Sequence, residues 1–286
     1  MFKFALTNTV FMKMLTKQNI KALLKPREAS SHKGNHGHAL LIAGSEGKMG
    51  AAVIAARACL RAGVGLLTVN VPKNERVILQ TGIPEAMLVM REDAKQNVSN
   101  FSAIGVGPAI GVGKHSEKLL VHIFTKLDKP LVLDADALNI IASNKKLWAE
   151  IPKETILTPH AKEFDRLFGF HKTNEERVST AVKKAKQHNV IIVLKGHKTL
   201  ITYADEAFLN TTGNAGLAKG GSGDALTGII TALLAQGYEP KHAAKLGVYL
   251  HGLAADITLE NQSMESMLIT DVIECLGKAF KNVMIK

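Results

Sequence analysis

The 286-residue chain carries 36 lysines and arginines against 25 acidic residues, a net charge of +11, with 46% hydrophobic but only 5% aromatic side chains. This length and composition suit one large α/β domain with a sizeable core, and no stretch reaches the ~20 apolar residues of a membrane span. The surplus lysines are scattered over helix faces such as Val182-Lys-Lys-Ala-Lys-Gln187, without aromatic interleaving or a zinc-finger motif, which argues against nucleic acid and for either an ordinary basic surface or one that attracts an anionic dinucleotide substrate.

Residues 1–14 read as an N-terminal extension, its apolar side chains interrupted by Lys3 and Lys13 and followed by no small-residue cleavage site. Residues 16–24 predict a short capped helix stopped by Pro26. A polar turn carrying His32, His36 and His38 then enters a buried strand at 39–43. Without cysteine or acidic partners at ligand spacing, those histidines read as loop residues, not metal ligands. The segment from Gly44 to Gly50 turns that strand into a helix over 51–62; Lys48 comes too early for P-loop spacing.

A second strand is expected at 63–71, ended by Pro72. A third starts near Phe101 and closes on glycines 105, 107 and 111, one position off the dinucleotide-binding fingerprint. Residues 130–139 read as a strand ending in Asp134 and Asp136, which a period of two places on one face. Metal binding, ribose orientation and capping of the next helix all stay open for this pair. Residues 155–163 give strand, turn and helix start, with His160 and Glu163 three apart and able to face one site. Residues 190–202 read as a hairpin turning at Lys195-Gly196-His197-Lys198, where two cations and a glycine can meet phosphates. Amphipathic helices follow at 243–259, with His251 packed, and at 269–283. Cys59 and Cys275, far apart in apolar helical contexts, read as buried thiols of a reducing compartment.

The densest signal lies between Asn210 and Gly228. Glycines at 213, 216, 220, 221 and 223 run directly into an apolar helix over 225–235. A glycine-rich loop feeding a helix N-terminus offers unpaired N–H groups and the positive end of the helix dipole, hence an anion site. Asp224 stands at the junction. It is either the helix N-cap or a carboxylate placed to take a proton from a hydroxyl that attacks a phosphoryl group.

Gly220-Gly221-Ser222-Gly223-Asp224 resembles the Gly-x-Gly-Asp signature of the ribokinase-like superfamily. The wider Gly213-Asn214-Ala215-Gly216 segment, His32-Lys33-Gly34, Asp134-Ala-Asp-Ala-Leu-Asn139, Thr158-Pro-His-Ala-Lys-Glu163 and Leu194-Lys-Gly-His-Lys-Thr199 resemble one branch of it, the ADP/ATP-dependent NAD(P)H-hydrate dehydratases. Lys219 departs from that pattern, standing where a small hydroxyl residue is expected. The resemblance covers about residues 15–280 and implies a ribokinase-like, doubly wound sheet sandwiched between helices. It implies one dehydratase domain over 1–286, with no separate epimerase domain.

The activity implied is nucleotide-dependent dehydration of hydrated NADH or NADPH (NADHX, NADPHX), with ADP giving AMP and phosphate. Asp224 would be the base, and Met49, Gly50, Gly107, His160 and Asp224 would meet the hydrated cofactor, Gly107 by letting it approach the backbone. Lys195, Gly196, His197, Lys198, Thr199, Gly221, Ser222 and Gly223 would hold ADP or ATP. Mg²⁺ would neutralise the phosphates, with Glu163 acting through water. Three glycine loops, near Met49, at Gly107 and at Gly221–Gly223, are expected to follow neighbouring strands and border one crevice. A cytoplasmic homo-oligomer, taken as a tetramer, completes the expectation. Two rivals stand beside it. A thiazole or pyrimidine-precursor kinase of the same superfamily is opposed by the Thr-Pro-His and Asp-Ala-Asp segments, and a non-catalytic nucleotide sensor by an intact Asp224.

Overall fold

Residues 12–93 and 97–285 are described by the computed structural model. Their strands are β1 (Met12–Met14), β2 (His38–Ile42), β3 (Leu66–Val71), β4 (Met87–Met90), β5 (Ala103–Val106), β6 (Val132–Leu133), β7 (Ile156–Leu157), β8 (Ile191–Leu194), β9 (Leu200–Tyr203) and β10 (Glu206–Leu209). They form one sheet in the order β1-β10-β9-β8-β7-β6-β5-β2-β3-β4. From β8 to β4 every neighbouring pair is parallel; β9 runs antiparallel to β8 and β10, and β1 lies parallel to β10.

Helices cover both faces, as the burial pattern of the strands requires. Along β2, Ala39 and Leu41 enter one apolar cluster while Leu40 and Ile42 enter the other, the alternation of a sheet buried on both sides. The first face carries α1 (Lys17–Leu23), α2 (Met49–Arg61) and α3 (Arg76–Gly82). The second carries α4 (Lys114–Lys126), α5 (Ala135–Ser143), α6 (Ala161–Phe168) and α7 (Asn174–His188). The chain then returns to the first face with α8 (Ser222–Ala235), α9 (Pro240–Thr258), α10 (Ile269–Glu274) and α11 (Leu276–Met284). The α/β sandwich expected from the sequence is the fold observed. Among the described residues no helix is long and apolar enough to cross a membrane.

Several local expectations need correction. Met12–Met14 pairs with β10, so the end of the expected extension belongs to the sheet; residues 1–11 lie outside the described residues. The strand expected over 130–139 is only Val132–Leu133. Asp134 is the residue before α5 and Asp136 lies in its first turn, so the two acids do not share a strand face. The single helix expected at 269–283 breaks at Cys275, which is partly buried, whereas Cys59 is fully buried; both thiols are free. The edge strand β4 went unread because its half-buried Met87-Leu-Val-Met90 has no alternation to betray it.

The order of strands reverses between β2 and β5, which are paired although α2, β3, α3 and β4 separate them in the chain. Such a reversal leaves a crevice beyond the carboxyl ends of the two strands. There Gly44 N–H donates to Pro108 O at 2.8 Å. Arg91, after β4, reaches across β3 to donate to Ala43 O, Gly44 O, Asn70 O and Asn70 Oδ1. Nothing in the sequence points to that partly buried clamp.

Candidate active site

α8 begins without a side-chain cap. Its N-cap is Gly221 at φ +92°, a left-handed conformation that favours glycine, with Ile54 Cδ1 of α2 2.6 Å from where a Cβ would stand. Ala225 is the first residue of α8 whose N–H reaches a carbonyl four back, that of Gly221 at 2.9 Å. The N–H groups of Gly223 and Asp224 have no partner among the described residues. Asp224 therefore sits in the first turn and is not the N-cap, which removes the capping alternative.

The loop before α8 is fixed from two sides. Asp256 of α9 accepts from Gly213 N at 2.8 Å and from Asn214 Nδ2 at 3.1 Å. Lys219 Nζ donates to Glu265 O at 2.5 Å and Met267 O at 2.7 Å, a tie to the segment before α10 that a small hydroxyl residue is too short to make. This loop follows β10, at the far end of the sheet, and α8 packs over β2, β5 and β6. The glycine loops at Met49 and Gly107 do follow neighbouring strands; the one at Gly221–Gly223 is instead carried across the sheet by a long connection.

The hairpin β8–β9 turns through Lys195 to Thr199 as expected, with Gly196, His197 and Lys198 exposed. Asn210 N donates to Thr199 O at 2.9 Å, so this turn adjoins the glycine-rich stretch. Lys195 itself is not a solvated basic residue. Its Nζ is 2.8 Å from Asp134 Oδ1 and 4.0 Å from Glu163 Oε2. Burial works against its charge, but Asp134 first and then Glu163 outweigh this and raise its pKa. Asp134 is 1% exposed, and its Oδ2 accepts from Thr227 Oγ1 at 2.8 Å.

His160 and Lys195 are brought side by side by a parallel bridge in which Lys195 N donates to Pro159 O at 2.9 Å. His160 is the N-cap of α6. Its Nδ1 accepts from Lys162 N at 3.1 Å and Glu163 N at 3.3 Å, and Glu163 Oε2 accepts from His160 N at 2.9 Å. The two side chains thus form a reciprocal cap, and half of the imidazole still faces outward. Burial, then the charge of Lys195, hold His160 below its ordinary pKa against the pull of Glu163.

The acidity of Asp224 is altered by its surroundings. Burial comes first and the Asp134 carboxylate second, with Asp136 adding a little; together they outweigh Lys195 and push its pKa up to about 6. Such a carboxylate is still mostly ionised at neutral pH yet more basic than an ordinary one, which suits a general base.

Other expected contacts fall out differently. Met49 is buried, with its sulfur folded over Gly44, while Gly50 is exposed and has open space where a Cβ would stand. Gly107, at φ +136°, lacks a side chain because a Cβ would meet Asp134 O at 1.8 Å; its bareness serves the approach of that backbone and is not explained by a ligand. Asp136 Oδ2 accepts from Gly111 N at 2.8 Å. The residues the structure gathers are Gly107, Asp134, His160, Glu163, Lys195, Gly223 and Thr227, with Asp224 alongside. Thr227 was missed, although it lies three residues after Asp224 and so on the same helix face.

The chain matches the family model described as NAD(P)H-hydrate dehydratase over residues 39–278. It belongs to that family. The ADP-dependent (S)-NAD(P)H-hydrate dehydratase of Bacillus subtilis is 35% identical over 274 residues, 93% of this chain and 97% of that one. A crystal structure of the ADP/ATP-dependent enzyme from B. subtilis, co-crystallised with ATP/Mg²⁺, superposes with a TM-score of 0.87 at 34% identity, covering 95% of this chain and 99% of that one. The bifunctional NAD(P)H-hydrate repair enzyme of Moorella thermoacetica is 34% identical over 95% of this chain, which spans only 54% of that protein. The fold is therefore that of the ribokinase-like dehydratases.

Proposed function

We propose that this chain dehydrates (S)-NADHX and (S)-NADPHX to NADH and NADPH at the expense of ADP or ATP. Hydroxide is a poor leaving group and phosphate a good one. The ring hydroxyl of the hydrated cofactor takes the terminal phosphoryl of the nucleotide, its proton passing to Asp224. Phosphate then leaves, the neighbouring ring carbon gives up its proton to solvent so that the ring double bond reforms, and ADP is left as AMP. The observation that carries this reading is the open first turn of α8, where free N–H groups adjoin a carboxylate pushed up to about 6.

In this reading the open N–H groups of Gly223 and Asp224 receive the transferring phosphoryl, and Lys195 to Thr199 hold the nucleotide; the Ser222 N–H expected beside them donates instead to Lys219 O at 3.4 Å. The crevice beyond β2 and β5, bordered by Gly50, Gly107 and His160, takes the hydrated cofactor. Family membership at these identities favours it over a small-molecule kinase. Location in the cytoplasm and assembly as a homo-oligomer belong to the same proposal.

The side chains do not fit a metal cage. Among the described residues no three His, Cys, Asp or Glu side chains are grouped to hold an ion, Glu163 is occupied by its cap, and the cation beside Asp134 and Glu163 is Lys195. Mg²⁺ would arrive with the nucleotide, and no step here is routed through it.

The test is an assay of hydrated NADH with ADP, with ATP and with neither, followed by the absorbance of NADH and the release of phosphate. Recovery of NADH that requires a nucleotide supports the proposal; phosphorylated product without recovery points to a kinase.

A further inference from the structure

The Lys195 turn, the Gly107 loop and the first turns of α8 meet at one residue, Asp134. Asp134 accepts from Lys195 Nζ through Oδ1 and from Thr227 Oγ1 through Oδ2, each at 2.8 Å. Its backbone closes a third side, against Gly107. The first turn of α8 closes the fourth, since a Cβ on Gly223 would lie 3.1 Å from Lys195 Nζ and 3.5 Å from Asp134 Oδ2. A charge at 1% exposure is tolerated only with a cation and hydrogen bonds in contact, and here both are supplied by residues that face the proposed phosphoryl site.

We propose that Asp134 is a positioning residue of the reaction, locking the Lys195 ammonium under the first turn of α8 and keeping a fixed negative charge beside the Asp224 carboxyl. The role of Asp224 in catalysis rests on the dehydratase reading; the coupling of the two carboxylates does not. The groups acting on Asp224 are Asp134 and Asp136 at the start of α5 and Lys195 after β8, while Glu163 of α6 lies against Lys195. Burial first and then the two acids disfavour a third charge, and Lys195 favours it. Removing the charge of Asp134 takes away the larger acid contribution and releases Lys195 to act on Asp224. Both changes push its affinity for protons the same way, downward.

The decisive measurement is a ¹³C titration of the aspartate carboxyls in the unliganded full chain, comparing the parent with Asp134→Asn and assigning Asp224 through Asp224→Asn. The Asp224 midpoint should fall by about one pH unit or more, and the acid limb of kcat/KM should move with it. An unmoved midpoint in folded Asp134→Asn overturns the proposal. Should that variant not fold, Thr227→Val and Thr227→Ser decide. Several-fold loss of turnover in the valine variant, restored by serine and with nucleotide affinity unchanged, supports positioning through Asp134; parental turnover in the valine variant overturns it. A displaced midpoint in a protein that dehydrates nothing upholds the coupling and locates the failure in the dehydratase reading.

Discussion

Two helix starts flank Lys195, and they are built in opposite ways. α6 is closed by its own side chains, with His160 accepting from two amides and Glu163 reaching back to the His160 N–H. α8 has a glycine at its N-cap, no side-chain cap, and N–H groups left without protein partners among the described residues. Unpaired amides at a helix start are ordinarily satisfied by a cap, water or a ligand. The closed end therefore serves as a wall that fixes Glu163 and Lys195, while the open end is the one left for an anion in the proposed reaction.

The sharpest way to break this contrast is Asp224→Asn. If the open end is the reacting one, turnover falls by roughly a hundredfold or more while nucleotide still binds by calorimetry. Near-parental turnover would make α8 no more catalytic than α6.

Lys195→Ala attacks the element both helices share. Its removal leaves Asp134 and Glu163 without their cation, so urea unfolding should register a loss of about 3 kcal/mol, together with a raised KM for the nucleotide. Unchanged stability would mean that the buried pair is not held by this lysine.

The pH dependence of stability separates the two ends further. Asp224 binds its proton more tightly folded, near 6, than at its ordinary value of 3.8. The stability linked to that proton is complete below pH ~4 and is lost as pH rises through about 6, a loss of about 2 kcal/mol after allowance for partial exposure. Asp224→Asn should thus melt higher than the parent at pH 7, with the gap closing toward pH 4. A gap independent of pH contradicts the assignment.

The smallest effect is expected at the closed end. His160→Ala should cost about 1 kcal/mol in thermal unfolding through the lost cap. Its KM for the hydrated cofactor should rise, while the KM for the nucleotide changes little. Equal effects on both would remove His160 from the cofactor side of the crevice.

What the sequence determined by itself is local and short in range. The glycines and small residues before the apolar run at 225–235 dictate a helix start with exposed amides, because backbone freedom and missing side chains are properties of the residues themselves. The hairpin at Lys195-Gly-His-Lys198 and the apolar run of β2 are legible for the same reason. Tertiary structure alone decided what those pieces do to one another. No spacing rule connects Asp134 to Lys195 and Thr227, 61 and 93 positions away, and without that contact Lys195 reads as a solvated phosphate binder. The bareness of Gly107 likewise comes from the backbone of Asp134, brought alongside it by the pairing of β5 with β6. The proton affinity of Asp224 depends on burial and on a carboxylate at the start of a helix on the opposite face of the sheet, and such couplings act through space, where sequence order carries no information.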